Sequence, residues 1–158
     1  MSIKPDNFLL VDSNSEFSRG YAEYIRKHSH NKKSQLIAAG DNTRHLLKMM
    51  FDELIKDYSY CDFANEISVS ELASYLNEHH NISGVLISSL DYHLANKEQQ
   101  FIFNSLHPVR YLLEQQEDGG FSYQKLTDKA NMNHLSCHGS IPNVGEDIEV
   151  SLCKLETD

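Results

Sequence analysis

The chain has 158 residues, of which 40% are apolar and 23% charged, and a net charge of −9. This suits one globular domain, is too apolar for a disordered chain, and is too acidic for loose binding to phosphate backbones or anionic lipid. Cys61, Cys137 and Cys153 are odd in number and irregularly spaced, which argues against a disulfide framework. With no signal-like or membrane-length apolar run, the expectation is a reduced, cytoplasmic protein with no membrane contact.

In chain order, apolar residues 8–11 run straight into Asp12 and then into small polar residues. That is how a buried parallel strand delivers a carboxylate to the edge of a sheet. Ser13-x-x-Glu16 predicts a capping box, opening a helix with Phe17, Tyr21, Tyr24, Ile25 and His28 on its inward face. Residues 35–39 predict a second strand. The turn Gly40-Asp41-Asn42-Thr43 predicts the start of a helix running to about Asp57, with Leu46, Leu47, Met50, Phe51 and Leu54 buried. Residues 58–67 fit a loop or a short extra strand. Ser68-x-x-Glu71 predicts another capped helix, with Val69, Leu72, Ala73 and Leu76 inward.

Residues 84–88 predict a second buried strand, a loop over 91–96, and a helix over 97–106 with Phe101, Ile102 and Leu106 inward. Pro108 stops that helix, and residues 109–113 predict a further strand. Gly119-Gly120 precedes a predicted helix over 122–131. Ile148, Val150 and Leu152 alternate with polar residues, predicting a last strand with one wet face. Strands alternating with helices predict one α/β domain over 1–158 with a mostly parallel sheet flanked by helices. The expected additions are a helical insertion over 43–78 and an irregular C-terminal strand segment. The most apolar runs, 8–11 and 85–87, are the expected adjacent central strands.

Asp12, Asp41 and Asp91 each follow an apolar strand, so a parallel sheet would carry all three to one edge. Together they form a candidate strand-end pocket with Ser13, Ser88 and Ser89, where carboxylates could hold Mg²⁺ and the serines an anion. Aspartates and serines at these places also serve simply as turn residues and helix caps. His134, Cys137 and His138 lack the paired spacing of a zinc site, and a buried cysteine beside surface histidines is expected. His79-His80 suits a helix end and is not the His-Glu-x-x-His motif. No Gly-rich phosphate loop or nucleophile elbow is present.

Residues 8–25, from Phe-Leu-Leu-Val-Asp-Ser-Asn to Glu-Tyr-Ile, resemble the opening of a response-regulator receiver domain. The resemblance implies a flavodoxin-like fold, with Asp12 as the first of two metal-binding acids. Ser13 stands where the second acid belongs, Ser88-Ser89 where the phosphoacceptor belongs, and the family's Lys-Pro pair has no lysine at Ser140-Ile141-Pro142. These departures imply a pseudo-receiver: a regulatory signalling module that has lost phosphorylation, is not an enzyme, and binds a protein partner. Regions 43–78 and 134–158 are the expected surface, and a strand over 147–155 could pair two copies into a homodimer.

Leu9-Leu10-Val11-Asp12-Ser13-Asn14-Ser15 also resembles the opening of PIN-type and 5′-nuclease domains, with Glu71 and Asp91 near the later acids. That resemblance implies Mg²⁺-dependent phosphodiester cleavage. Leu90 where the main strand-end acid belongs, and the lack of a basic patch, run against it and against a nucleic-acid partner.

Overall fold

Phe8, Leu9, Leu10 and Val11 are all buried, so successive side chains pointing to opposite faces both meet packed structure. Only a sheet covered on both sides allows this. The computed structural model describes residues 6–28, 34–127 and 134–137. Its elements are β1 (Asp6–Val11), α1 (Ser15–His28), β2 (Ser34–Gly40), α2 (Thr43–Phe51), β3 (Asp57–Tyr60), α3 (Glu66–His79), β4 (Ile82–Ser88), α4 (Ser89–Leu94), α5 (Lys97–Asn104), β5 (Val109–Gln115), β6 (Phe121–Thr127) and β7 (His134–Cys137).

The strands form one 7-stranded sheet in the order β3-β2-β1-β4-β5-β6-β7. β1 to β5 are parallel, and β6 and β7 add antiparallel. As expected, β1 and β4 are neighbours, with Leu9 opposite Val85 and Leu10 opposite Leu86. The longer parallel strands, β2-β1-β4-β5, follow the flavodoxin-type order. The helical region between β2 and β4 carries the short β3, which pairs outside β2.

Alternate residues of the central strands feed two cores. Phe8, Leu10 and Leu86 pack with Tyr21, Ile25, Leu46 and Met49 of α1 and α2. Leu9, Val11, Val85 and Ile87 pack with Leu72 and Leu76 of α3 and Ile102 and Phe103 of α5. At about 25 cal/mol per Å² of apolar area, this two-sided burial is the main source of stability.

Several local expectations are corrected. The helix predicted over 122–131 is a strand through Thr127: Phe121, Tyr123 and Lys125 are buried at period two. A turn with Gly119 at φ 90 joins it to β5. The predicted loop at 91–96 is largely α4. Asn14 caps α1 by accepting from the Phe17 N–H, and Asn65 caps α3 three residues before the predicted cap, Ser68. Ser68 accepts from the Asp62 N–H instead. The second helix ends at Phe51, short of Asp57. Phe51 and Phe101, expected inside, are 78% and 67% exposed, because Leu46 and Met49 of α2, and Ile102 and Phe103 of α5, take the inward positions. The strand predicted near 148–152, Cys153 and His138 lie outside the described residues, as do the side chains of β7.

α2 ends in a Schellman motif. The Glu53 N–H donates to the Met50 carbonyl and the Leu54 N–H to that of Met49, with Glu53 at φ 61. Leu54 and Met49 supply its apolar contact within one core.

Candidate functional site

The chain leaves β1 toward β2 on one side and reaches β4 on the other, so the carboxyl ends of β1 and β4 frame a topological switch point. Asp12 stands there. Its N–H donates to the Ala39 carbonyl at 2.8 Å, extending the ladder one residue past β1. Its side chain is fully buried, and neither carboxylate oxygen has a hydrogen-bond partner among the described residues. Gly40 makes room for it: a Cβ at Gly40 would lie 2.7 Å from the Asp12 carbonyl oxygen and 2.9 Å from its Cβ.

Two groups that sequence reasoning missed face this carboxylate. His45, in the first turn of α2, places Nε2 4.0 Å from Asp12 Oδ1, and Ser18 of α1 is 1% exposed. The Ser18 hydroxyl and His45 Nε2 are themselves buried without hydrogen-bond partners among the described residues. Burial pushes the Asp12 carboxyl above its usual range and the neighbouring Asp41 adds to this, while Ser18 and His45 oppose it. A sequence signal for Ser18 existed: it falls on the same helical stripe as Tyr21, Ala22 and Ile25. His45 carried no such mark, since only the fold brings α2 over β1.

The other expected residues have structural partners. Ser13 donates to Asp91 Oδ2 at 2.5 Å, tying the β1–α1 loop to α4. Ser88, 6% exposed, accepts from the Asp91 N–H at 3.3 Å and caps α4. Ser89 is the first residue of α4, and Asp41 is exposed in the turn after β2. The strand-end residues therefore share one edge but do not focus on one point. Among the described residues, no three His, Cys, Asp or Glu side chains form a group able to hold a metal ion, and that covers Asp12, Asp41, Glu71 and Asp91. A lone carboxylate facing an imidazole and a hydroxyl is a poor match for the octahedral oxygen shell of Mg²⁺.

A second polar cluster sits at the opposite, amino edge of the sheet. Asp57 Oδ2 accepts from the Tyr75 hydroxyl at 2.7 Å and the His80 ring at 3.1 Å, and Oδ1 accepts from the Tyr58 N–H at 2.8 Å. Burial raises the Asp57 carboxyl, but these bonds outweigh it and hold the group below its usual range. Cys61 is buried and free, and burial pushes its thiol up to about 11, which leaves it protonated and unreactive at neutral pH.

Among the described residues, no helix is long and apolar enough to cross a membrane. No protein-family model matches the chain, and no curated protein is significantly similar to it.

Proposed function

We propose that this protein is a non-catalytic regulatory module of the cytoplasm, receiver-like but without phosphorylation chemistry, that works by binding another protein. The observation that carries this reading is the use made of the end of β4. Ser88-Ser89 stands where the resemblance would put the phosphoacceptor, and the Ser88 hydroxyl is used to cap α4. Asp91, three residues on, is held by Ser13. Phosphotransfer needs a reachable carboxylate, a metal and a cation for the developing charge. The carboxylate at the family's metal position, Asp12, is closed off from solvent.

Support for a protein partner comes from Leu90, Leu94 and Phe101, which are 66%, 76% and 67% exposed on the helices that follow β4. Large apolar side chains held in water on successive elements favour a protein contact over bare solvent. A second copy of the chain is the simplest such partner. Amide NMR spectra recorded with Mg²⁺ and beryllofluoride, or with acetyl phosphate, test the reading. Unchanged spectra are expected, and shifts centred on Asp12 would overturn it.

One observation favours the alternative of a Mg²⁺-dependent PIN- or 5′-nuclease-like phosphodiesterase. A buried carboxylate with both oxygens unpartnered is the form a metal ligand takes. Against it, Glu71 and Asp91 do not join Asp12 in a metal-binding group. Incubation with Mg²⁺ or Mn²⁺ and single-stranded, duplex and flap nucleic acid separates the two. Cleavage abolished by Asp12→Ala would establish the nuclease.

A further inference from the structure

A cavity of about 440 Å³ opens at the amino end of the sheet, away from the switch point, between α1, the start of β2 and the turn that leaves α2. This volume is within the range of small-molecule sites, about 300–1,000 Å³. Its walls are Ala22, Ile25, Leu36, Met50, Leu54 and Ile55. Its polar residues are Arg26, Lys56, Gln35 and Glu53. An apolar chamber with a few polar groups is the usual make-up of a ligand site.

The Gln35 side-chain oxygen is buried in this wall without a hydrogen-bond partner among the described residues. A buried amide oxygen left unpaired is costly, and a water held inside the chamber and donating to it would relieve it. The charges lining the cavity run against the sign of the whole molecule. On a chain of net charge −9, two cations and one carboxylate line this cavity. The acids next door are already engaged: Arg19 binds Asp52 Oδ2 at 2.6 Å and Glu23 Oε2 at 3.1 Å. Arg26 is steadied by donating to the Asp52 carbonyl at 2.6 Å. The Lys56 N–H donates to the Leu36 carbonyl at 2.8 Å, fixing the backbone that carries the second cation.

We propose that this cavity binds an amphipathic carboxylate, with its apolar body against Ile25, Met50 and Leu54 and its carboxylate between Arg26 and Lys56. Charge-assisted hydrogen bonds from two cations select the anion, and the walls select the chain. The inference stands on the cavity alone and is independent of the regulatory reading.

Methyl-¹³C methionine NMR of the intact protein tests it, because Met50 lines the cavity whereas Met49 is fully buried and does not. Octanoate is expected to move the Met50 methyl signal saturably, with a Kd of about 0.1–1 mM, while Met49 stays nearly still. Octanol, the neutral counterpart, is expected to bind about tenfold more weakly. Lys56→Gln, and separately Arg26→Gln, should weaken octanoate about tenfold and leave octanol unchanged. No saturable Met50 shift would overturn the proposal. So would equal binding of octanol and octanoate, or octanoate binding untouched by both substitutions.

Discussion

Asp12 carries a cost that its position alone explains. A carboxylate taken from water without a hydrogen bond is unfavourable, and the protein answers by raising its pKa. With the folded value above the unfolded value of 3.8, the folded state holds the proton more tightly. Its contribution is therefore fully favourable below that unfolded value and is lost as pH rises through the raised folded one. Asp12→Asn, which removes the charge and keeps the shape, should stabilise the protein by about 1–2 kcal/mol at neutral pH. The gain should shrink toward nothing below the unfolded value of 3.8. Urea denaturation at both pH values checks the gain at neutral pH and its loss in acid. Glu53 carries a different strain. Its φ of 61 is left-handed, where a side chain costs about 1–2 kcal/mol and the Schellman position favours glycine. Glu53→Gly recovers this strain but frees the unfolded chain, so a net gain of about 0.5–1 kcal/mol is expected in thermal unfolding.

Among the elements, β3 depends most on side chains for its place. It has four residues, pairs on one side only, and leaves Tyr60 57% exposed. The bonds from Tyr75 and His80 to Asp57 fasten its first residue to the end of α3. Because Asp57 is held below its usual range, this fastening is present above the unfolded value of 3.8 and is lost as pH falls through the lowered folded one. Tyr75→Phe should cost about 1–2 kcal/mol and speed amide exchange in β3 while sparing β4. The same element marks where sequence reading ran out. Buried central strands are legible because Phe8, Leu9, Leu10 and Val11 leave no polar side to expose. β3, Asp-Tyr-Ser-Tyr, has no such run and is held by partners distant in sequence. β6 was misread because Ser122 and Gln124 hide the alternation of Phe121, Tyr123 and the buried Lys125, whose ammonium lies 6.0 Å from the Tyr111 ring centre. At the switch point, Asp12, Ser13, Ser88 and Asp91 were all legible from their places after strands. That Ser13 would bind Asp91 rather than cap α1 was not, since these residues are 78 apart in sequence.

At the scale of the molecule, the candidate crevice and the cavity sit at opposite ends of one sheet, and β1 and β4 run at its centre. Both central strands are paired on both sides and covered on both faces. Their amides should therefore exchange only when the whole domain unfolds, whereas β3 at the edge opens locally. This difference turns the strain at Asp12 into a global readout. If Asp12→Asn stabilises the fold as a whole, the slowest amides of β1 and β4, such as those of Leu10 and Leu86, should slow further, by about tenfold for every 1.4 kcal/mol gained. The amides of β3, released by local opening, should keep their rates. Native-state hydrogen exchange of the two proteins at neutral pH reads both at once. Fast exchange at Leu10 or Leu86 in the parent protein would remove β1 and β4 from the centre of the stability map. Equal slowing in β3 would mean that the edge strand does not open on its own, and that the sheet unfolds as one unit from Tyr60 to Leu113.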